Sequence, residues 1–464
     1  MGKTRRETDS LGQMHVPRNA LYGPQTARAV ENFPISGCPL PRQFIAAVGL
    51  IKQAAAAVNK KAGRLSAAKA DAIIAAAREV VEGGLDEHFP VDVFQTGSAT
   101  STNMNANEVI ANRAMQILRR RGRKAAVHPN DDVNMGQSSN DVIPAAMHVS
   151  AAVAITGRLM PALKKLQKAL SAKARQFDRI VKIGRTHLMD AVPIRLGQEF
   201  SGYAAQIEGA IDMLSRAVEA LCELPIGGTA VGTGLNAPRG FAAGVCKILA
   251  TKTNLPLRET RNHFAEQAAK DKVLYASGVL RVAALAMGKI ASDLRLLGSG
   301  PRCGLGELIL PAVQPGSSIM PGKVNPVICE SVIQVACQVV GCDAAIAAGC
   351  TGGVGGILEL NVAMPMIAAN VLYAIKLLAN AATVFAEKCI AGLKVNETRC
   401  RVLVEQSLAM VTALAPKIGY DAAAEIAKEA CATGRTIRQV CLEKKILPER
   451  ELAALLHPRK QTGG

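Results

Sequence analysis

Long runs of apolar residues at helical spacing are the feature that most restricts how this chain can fold. Leu159, Leu163, Leu166 and Leu170 recur at the spacing of one helix face. Sequence rich in Ala and Leu favours helix, and few segments alternate between apolar and polar residues as a half-buried strand does. The predicted fold class is therefore all-α, with long helices that bury their apolar faces against one another.

The helical pattern covers most of the chain. We expect long helices at residues 42–61, 66–83, 108–120, 142–176, 198–221, 263–298, 326–348 and 362–391, and shorter ones at 396–413, 420–432 and 448–456. Pro161 should kink its helix, because proline removes a backbone donor. Residues 1–40 are expected to be irregular, and residues 180–183 to form a short strand that the segment 184–187 ends.

The chain is strongly basic, with a formal charge of +18, which suits nucleic acid, an anionic surface or anionic substrates. Lys and Arg are spread along the sequence, and aromatic residues make up only 3% of it. Stacking side chains are therefore scarce, so we expect no nucleic-acid partner and assign the charge to a solvated surface.

Twelve Cys and seven His invite a search for metal sites, but no C-x-x-C or H-E-x-x-H spacing occurs. Cys329, Cys337 and Cys342 lie in apolar helical runs, where free Cys behaves as a small buried hydrophobe. We expect no metal, and reduced thiols as in the cytoplasm. Residues 1–10 are charged and lack the apolar stretch of a signal peptide, which agrees with a cytoplasmic location.

Two runs, at residues 331–349 and 362–386, are apolar enough to raise the question of a membrane. Polar residues and a proline interrupt them: Gln334, Gln338, Asp343, Pro365, Asn370, Lys376 and Asn380. We expect no membrane partner and assign both runs to helices buried in a large core.

Three predicted helices begin with segments rich in hydroxyl and amide side chains, at residues 98–107, 138–144 and 316–326. A helix N-terminus carries unpaired N–H groups and roughly half a positive charge, so it attracts anions. Thr186 and His187 add a hydroxyl and an imidazole that titrates near neutral pH. Each segment alone could be an ordinary helix cap, but together they suit a small dicarboxylate held without a metal.

The third of these segments is the most distinctive. Residues 316–322 form a loop in which Gly and Pro frame two serines, and Asn325 and Pro326 are expected to be the N-cap and first residue of the next helix. Lys323 would pair with one carboxylate of the ligand. Removing a proton next to a carboxylate adds charge to it, and fixed dipoles with Lys323 can stabilise that charge.

A glycine-rich segment at residues 226–236 could suggest a dinucleotide site, but it lacks the strand–G-x-G-x-x-G–helix context of one. We therefore expect no cofactor.

The sequence resembles the fumarase/aspartase superfamily, and within it the class II fumarases. The motifs that carry the resemblance are LYGPQT at 21–26, TGSATSTNMN at 96–105, HPND at 128–131, SSND at 138–141, GRTHL at 184–188, GSGPRCG at 298–304, GSSIMPGKVNP at 316–326 and GYD at 419–421. The resemblance implies three domains, at about 1–136, 137–392 and 393–464, with the long-helix bundle in the centre. It also implies a homotetramer whose active sites draw on three subunits.

The same resemblance implies roles for individual residues. Ser317 matches the base that takes a proton from C3 of malate, His187 the group that handles water at C2, and Glu330 the carboxylate that orients this histidine. The substrate-binding positions are Ser98, Thr100, Ser138, Ser139, Asn140, Thr186, Ser318, Lys323 and Asn325. A second, non-catalytic anion site would comprise His128, Asn130 and Asp131.

Some positions depart from the class II fumarase pattern. Ala125 and Ala126 stand where a basic residue often precedes the second anion site, and Ala99 replaces a usual glycine. Thr102 and the Val-Pro pair at 192–193 are familiar from aspartate ammonia-lyases, which release ammonia instead of water. His187 and Ser139 favour the fumarases, because aspartases tend to carry Gln and Thr there. An inactive structural relative is the remaining alternative, and the complete set of site residues argues against it.

Overall fold

The computed structural model describes residues 4–463, and helices dominate it. The helices are α1 (Pro24–Asn32), α2 (Arg42–Lys61), α3 (Ala67–Glu82), α4 (Thr100–Arg120), α5 (Ser139–Ala154), α6 (Met160–Gln176), α7 (Leu196–Leu221), α8 (Phe241–Thr253), α9 (His263–Ala268), α10 (Asp271–Leu297), α11 (Val327–Cys350), α12 (Met364–Phe385), α13 (Glu397–Gln406), α14 (Ala415–Ile418), α15 (Tyr420–Thr433), α16 (Ile437–Glu443) and α17 (Glu449–Leu455). The all-α prediction is confirmed.

The strands are short and form five two-stranded pairs among the described residues. They are β1 (Thr4–Asp9) with β2 (Gly12–Pro17), β3 (Val181–Thr186) with β4 (Met189–Arg195), β5 (Glu223–Leu224) with β6 (Arg258–Glu259), β7 (Leu308–Ile309) with β10 (Lys394–Val395), and β8 (Gly356–Ile357) with β9 (Leu360–Asn361). All pairs are antiparallel except β5 with β6.

The chain divides into two compact units. The first comprises the residues up to Pro161 together with Asp212–Ala284 and Cys337–Ala379. Its core is built on α2, which packs against α3, α5 and α8. Fully buried side chains such as Phe44, Ile73 and Ile143 fill this core. The starts of α4 and α5 belong to this unit.

The second unit comprises Ala162–Ile211, Leu285–Ala336 and the chain from Asn380 onward. The hairpin β3–β4 packs against α13 here. One apolar cluster joins Ile183 of the hairpin to the small helices near the C-terminus through Val404, Met410, Leu414, Ile426, Val440 and Leu452. This cluster therefore supports the hairpin that carries Thr186 and His187.

The prediction that residues 1–40 are irregular is wrong. They contain the hairpin β1–β2 and helix α1. Strand β1 has no apolar residue, and β2 alternates only through Met14 and Val16, which is too short a pattern to predict a strand. These two side chains pack with Ala27 of α1, and distant polar contacts also hold this region. Buried Glu108 accepts hydrogen bonds from the backbone N–H groups of Gly23 (2.8 Å) and Thr26 (3.2 Å), at the start of α1.

Two long helices depart from regular α-helix, one of them next to Pro161, where a kink was predicted. A π-helical turn at Ile155–Leu159 separates α5 from α6, just before Pro161, whose missing N–H loosens the preceding turn. The expected helix at 263–298 is split into α9 and α10. At this break buried Lys270 donates to the carbonyl groups of Glu266, Gln267 and Ala269, which are left open by the end of α9.

Four helical stretches in residues 4–463 are long and apolar enough to cross a membrane by length and composition. Among them, Ser139–Gln176 has 72% of its most apolar window buried, whereas Val327–Cys350 has 39%. The burial of the run at 331–349 in a large core is therefore incomplete in a single chain and stays a prediction for the assembled protein. Much of α11 is apolar and exposed in a single chain.

Candidate active site

The start of α4 gathers hydroxyl groups, as predicted. Ser98 and Thr100 share a hydrogen bond of 2.7 Å between their side-chain oxygens, and Thr100 shares another of 2.7 Å with Ser139 at the start of α5. Ala99 lies between them with φ 53°, in the left-handed region that favours glycine. The tight turn at Ala99 thus places two hydroxyls of α4 against the first turn of α5.

The start of α5 is a closed network of backbone donors and polar side chains. The Ser138 side chain accepts from the backbone N–H of Asn140 (3.2 Å), and Asp141 Oδ1 accepts from the N–H of Ser138 (2.9 Å). This reciprocal pair is a capping box. Asn140 Nδ2 donates to the carbonyl of Ala230 at 2.8 Å.

The glycine-rich segment at 226–236 supports α5 in this structure. The backbone N–H groups of Gly227 and Thr229 donate to Asp141 Oδ2 at 2.9 and 3.0 Å. Gly227 requires glycine, because its φ is 93° and a Cβ there would lie 2.7 Å from the Cβ of Ala242. Backbone conformation and close packing therefore account for this glycine.

A buried amine lies beside this network, and sequence reasoning missed it. Lys52 of α2 is fully buried, and its Nζ donates to Asn134 Oδ1 (2.8 Å) and Gln137 Oε1 (3.0 Å), on the segment that leads into Ser138. Burial lowers the pKa of Lys52 to about 7, partly offset by the charge of Asp141. Burial also raises the pKa of Asp141 to about 6, against its three backbone donors and Lys52. The sequence feature that could have indicated this buried amine is the single lysine inside the apolar stretch of α2.

The loop before α11 positions Ser317. Its Oγ accepts hydrogen bonds from the backbone N–H groups of Ile319 (3.2 Å) and Met320 (3.0 Å). Two donors on one hydroxyl oxygen stabilise negative charge on it, which the predicted role of Ser317 as a base would require. Ser318 and Lys323 are exposed, and neither side chain makes a hydrogen bond or ion pair within residues 4–463.

Asn325 closes this loop and does not cap the helix. Its Nδ2 donates to the carbonyl of Gly316 at 2.7 Å, and the N–H of Gly316 donates to the carbonyl of Lys323 at 2.8 Å. Helix α11 begins at Val327, so the prediction that Asn325 and Pro326 are the N-cap and first helical residue is wrong. The side-chain donor of Asn325 is used across the loop, and its Oδ1 accepts no hydrogen bond from the first turn of α11 within residues 4–463.

His187 lies at the tip of the hairpin β3–β4, so the prediction that the segment 184–187 ends the strand is wrong. Thr186 pairs with Met189, and the two residues between them, His187 and Leu188, have φ angles of 56° and 61°. Two consecutive positive φ angles in a two-residue hairpin loop are the mark of a type I′ turn, which normally prefers Asn-Gly. A residue other than glycine is destabilised by roughly 1–2 kcal/mol in this left-handed backbone conformation, and such strain is concentrated at functional sites.

The imidazole of His187 is exposed and makes no hydrogen bond within the described chain. The half-buried carboxylate of Glu330, in the first turn of α11, makes none there either. A single chain therefore leaves the predicted pair of His187 and Glu330 unmade. Their partnership stays a prediction for the assembled protein.

The residues predicted for a second anion site are adjacent and mostly exposed. His128 Nδ1 accepts from the backbone N–H of Asp131 (3.1 Å) and lies 3.2 Å from its Oδ2, while Asn130 is exposed beside them. The neighbouring Asp132 is the structural acid, since it accepts from the N–H of His128 (2.8 Å) and pairs with Lys69 (2.8 Å). Within residues 4–463, no group of three or more His, Cys, Asp and Glu side chains is arranged to hold a metal ion.

Comparison with known proteins agrees with this arrangement. Residues 12–341 match a family described as lyase, and residues 410–463 match the fumarase C C-terminus. The class II fumarate hydratase of Mycobacterium tuberculosis strain H37Rv is 54% identical over 445 residues, which cover 96% of this chain and 92% of the relative. The class II fumarate hydratase of Rhizobium meliloti strain 1021 is 49% identical over 464 residues, the full length of both chains.

Two solved structures are similar over nearly the whole chain. The class II fumarase of Schistosoma mansoni superposes with a TM-score of 0.95 and 40% identity, over 99% of each chain. A fumarate lyase:delta crystallin of Brucella melitensis, bound to cobalt, superposes with a TM-score of 0.94 and 45% identity, over 100% of each chain. The chain belongs to the class II fumarate hydratase family.

Proposed function

We propose that this chain is a hydro-lyase that interconverts L-malate and fumarate by adding or removing water. Family membership supports the reaction. The observation that supports Ser317 as the base is its hydroxyl oxygen, which two backbone N–H groups already solvate. Because a serine near its ordinary pKa is a weak base, such donors are what the role requires.

The dehydration is written as two proton transfers on opposite faces of malate. Ser317 in its alkoxide form takes the proton from C3, and the electron pair of that C–H bond becomes the C2=C3 double bond. The C2–O bond breaks, and the protonated imidazole of His187 gives its proton to the departing hydroxide, which leaves as water. Hydration of fumarate is the reverse sequence.

The neutral donors hold the two carboxylates in this proposal. Ser98, Thr100, Ser138, Ser139 and Asn140 form one binding surface, and Thr186, Ser318, Lys323 and Asn325 provide the rest. Lys323 is the counter-ion of the carboxylate next to C3, where negative charge grows as the proton leaves. No metal or cofactor takes part.

We also propose a homotetramer with active sites shared between subunits. Two features of the single chain support it. Helix α11 is apolar, yet only 39% of its most apolar window is buried. Large apolar side chains are exposed around the reacting residues, namely Leu188 (75%), Met189 (70%) and Ile319 (83%). Exposed apolar surface of this kind marks an interface between proteins. A second copy of the chain is the partner that would also bring a histidine to Glu330.

The reducing environment of the cytoplasm is the location that we propose, because all twelve cysteines are free thiols in the structure.

The reaction is tested with the purified chain, L-malate or L-aspartate, and the absorbance of fumarate. We expect turnover of malate and none of aspartate. Turnover of aspartate alone would identify an ammonia-lyase, and turnover of neither would indicate an inactive relative.

Shared sites are tested by co-expressing two inactive variants, H187N and S317A, with different affinity tags. If His187 and Ser317 of one site come from different subunits, hybrid tetramers contain some sites with neither substitution, and activity returns. If both residues come from one chain, every site carries a defect and the hybrids stay inactive. Light scattering should give four times the chain mass of 48.6 kDa.

A further inference from the structure

A buried ionic cluster lies at the base of the hairpin that carries His187. Glu307 is fully buried, and both of its oxygens bind the guanidinium of Arg185, with NH1 at 2.8 Å from Oε2 and NH2 at 3.1 Å from Oε1. Lys182, also buried, lies 3.6 Å from Glu307 Oε2 and 3.2 Å from Glu199 Oε1. The cluster thus joins two cations of β3 to two acids outside the hairpin.

Glu307 is held in place by the backbone on both sides of it. Its N–H donates to the carbonyl of Leu297 at the end of α10, and its carbonyl accepts from the N–H of Asn396, both at 2.9 Å. The residues that follow Glu307 form β7, which pairs with β10. The carboxylate that binds Arg185 therefore belongs to a fixed frame.

The turn above this cluster has little to hold it. Thr186, His187, Leu188 and Met189 are all exposed, and the imidazole has no hydrogen bond within residues 4–463. His187 and Leu188 both adopt positive φ angles, which side chains other than glycine disfavour. The direction of the imidazole thus depends on the backbone of the turn, and Arg185 is two residues away from His187 in sequence.

We propose that Arg185 and Glu307 are positioning residues that aim His187 at the C2 oxygen of the substrate. The proposal rests on the role given to His187 under Proposed function. A bidentate guanidinium–carboxylate pair fixes an angle as well as a distance, which a single-point contact does not. Through this pair the hairpin keeps its disfavoured turn and a constant orientation toward the reacting centre.

The same hairpin offers a matched control. At the far end of β4, Arg195 Nε donates to Asp178 Oδ1 at 2.9 Å, and this pair is only partly buried. R185K and R195K make the same change, preserve charge and remove one planar fork each. Of the two arginines, only Arg185 is next to the turn that carries His187.

The test measures kcat, KM for L-malate and the melting temperature of the wild type, R185K, R195K and H187N. We expect R185K to lower kcat at least tenfold and to change KM by a smaller factor, because Thr186 is the only proposed carboxylate-binding residue on this hairpin and the others stay in place. R195K should keep kcat within twofold of the wild type, even if its melting temperature falls as far as that of R185K. E307Q should repeat the kcat loss of R185K if it folds, and R185K decides the matter if it does not.

Two outcomes would overturn the inference. One is equal kcat in R185K and R195K, and the other is a loss in R185K that appears in KM and not in kcat. The activity of H187N shows whether the positioning role or the proposed function itself is wrong. If H187N keeps activity, the role of His187 is wrong, whereas if H187N is inactive and R185K is normal, only the positioning role is wrong.

Discussion

The start of α5 and the loop before α11 were both predicted to bind the same dicarboxylate, but they are built in opposite ways. At α5, buried Asp141 accepts from three backbone N–H groups, and a buried lysine lies alongside. In the loop, Ser318 and Lys323 are exposed, and Ser317 has only its own loop's backbone donors. The first region is a hydrogen-bonded platform whose polar groups are largely paired with one another. The second keeps its reacting groups accessible, as functional loops commonly do.

The comparison predicts that chemistry resides in the loop. S317A should lower kcat by about 10²–10⁴-fold, the usual contribution of a general base, while the tetramer stays intact. S318A removes a neighbouring hydroxyl that accepts no backbone donor, and it should cost less than about tenfold. Steady-state rates and light scattering on both variants check this. A similar loss in the two serines would show that the loop only binds.

Stability should depend on the platform instead. D141N leaves one carbonyl oxygen to serve donors that two carboxylate oxygens served, so at least one buried N–H loses its partner. We expect a cost of about 2–3 kcal/mol and a higher KM for malate with kcat less affected. D71N, at a partly exposed ion pair with Lys60, should stay within about 0.5 kcal/mol of the wild type. Thermal melting and KM measurements distinguish the two.

The pH dependence of stability provides a further test of the buried groups at the start of α5. The pKa of Lys52 falls from 10.5 to about 7 in the folded chain. Between these values the unfolded state binds more protons than the folded state, so this group makes stability rise as pH increases from about 7 toward 10. K52M removes the titrating group, so the difference between its melting temperature and that of the wild type should be constant below about pH 7 and should move in favour of the wild type as pH rises from about 7 toward 10. Parallel melting curves for the two proteins would show that Lys52 does not titrate in this range.

The smallest expected effect concerns the exposed hairpin turn. L188G places glycine where φ is 61°, and within its own chain it relieves strain without removing buried surface, so we expect it to raise the free energy of unfolding by about 0.5–1 kcal/mol unless the proposed subunit contact offsets this gain. M189G makes a similar deletion at the next residue, which lies in β4, and should destabilise because glycine weakens a strand. Melting temperatures of the pair are the measurement. A lower value for L188G would mean that the proposed packing of Leu188 against another subunit contributes more than the relief of strain.

The long helices α2, α3, α7, α15 and α17 were predicted within about two residues at each end, because helical periodicity is a local property of the sequence. The candidate residues were found through motif resemblance, and structure then placed Ser98, Thr100 and Ser139 in one hydrogen-bonded row. The roles of the other site residues stay predictions. The proposed three-domain boundaries also stay a prediction.

Sequence by itself determined the helical class, the polar starts of α4 and α5, and the family, since each depends on residues that are close together in the chain. Only tertiary structure decided that Asn325 closes a loop, that His187 occupies a strained turn, that Lys52 and Asp141 are buried, and that Arg185 binds buried Glu307. The physical reason is that these features come from contacts between residues up to 122 positions apart, as for Arg185 and Glu307, and local periodicity carries no record of them.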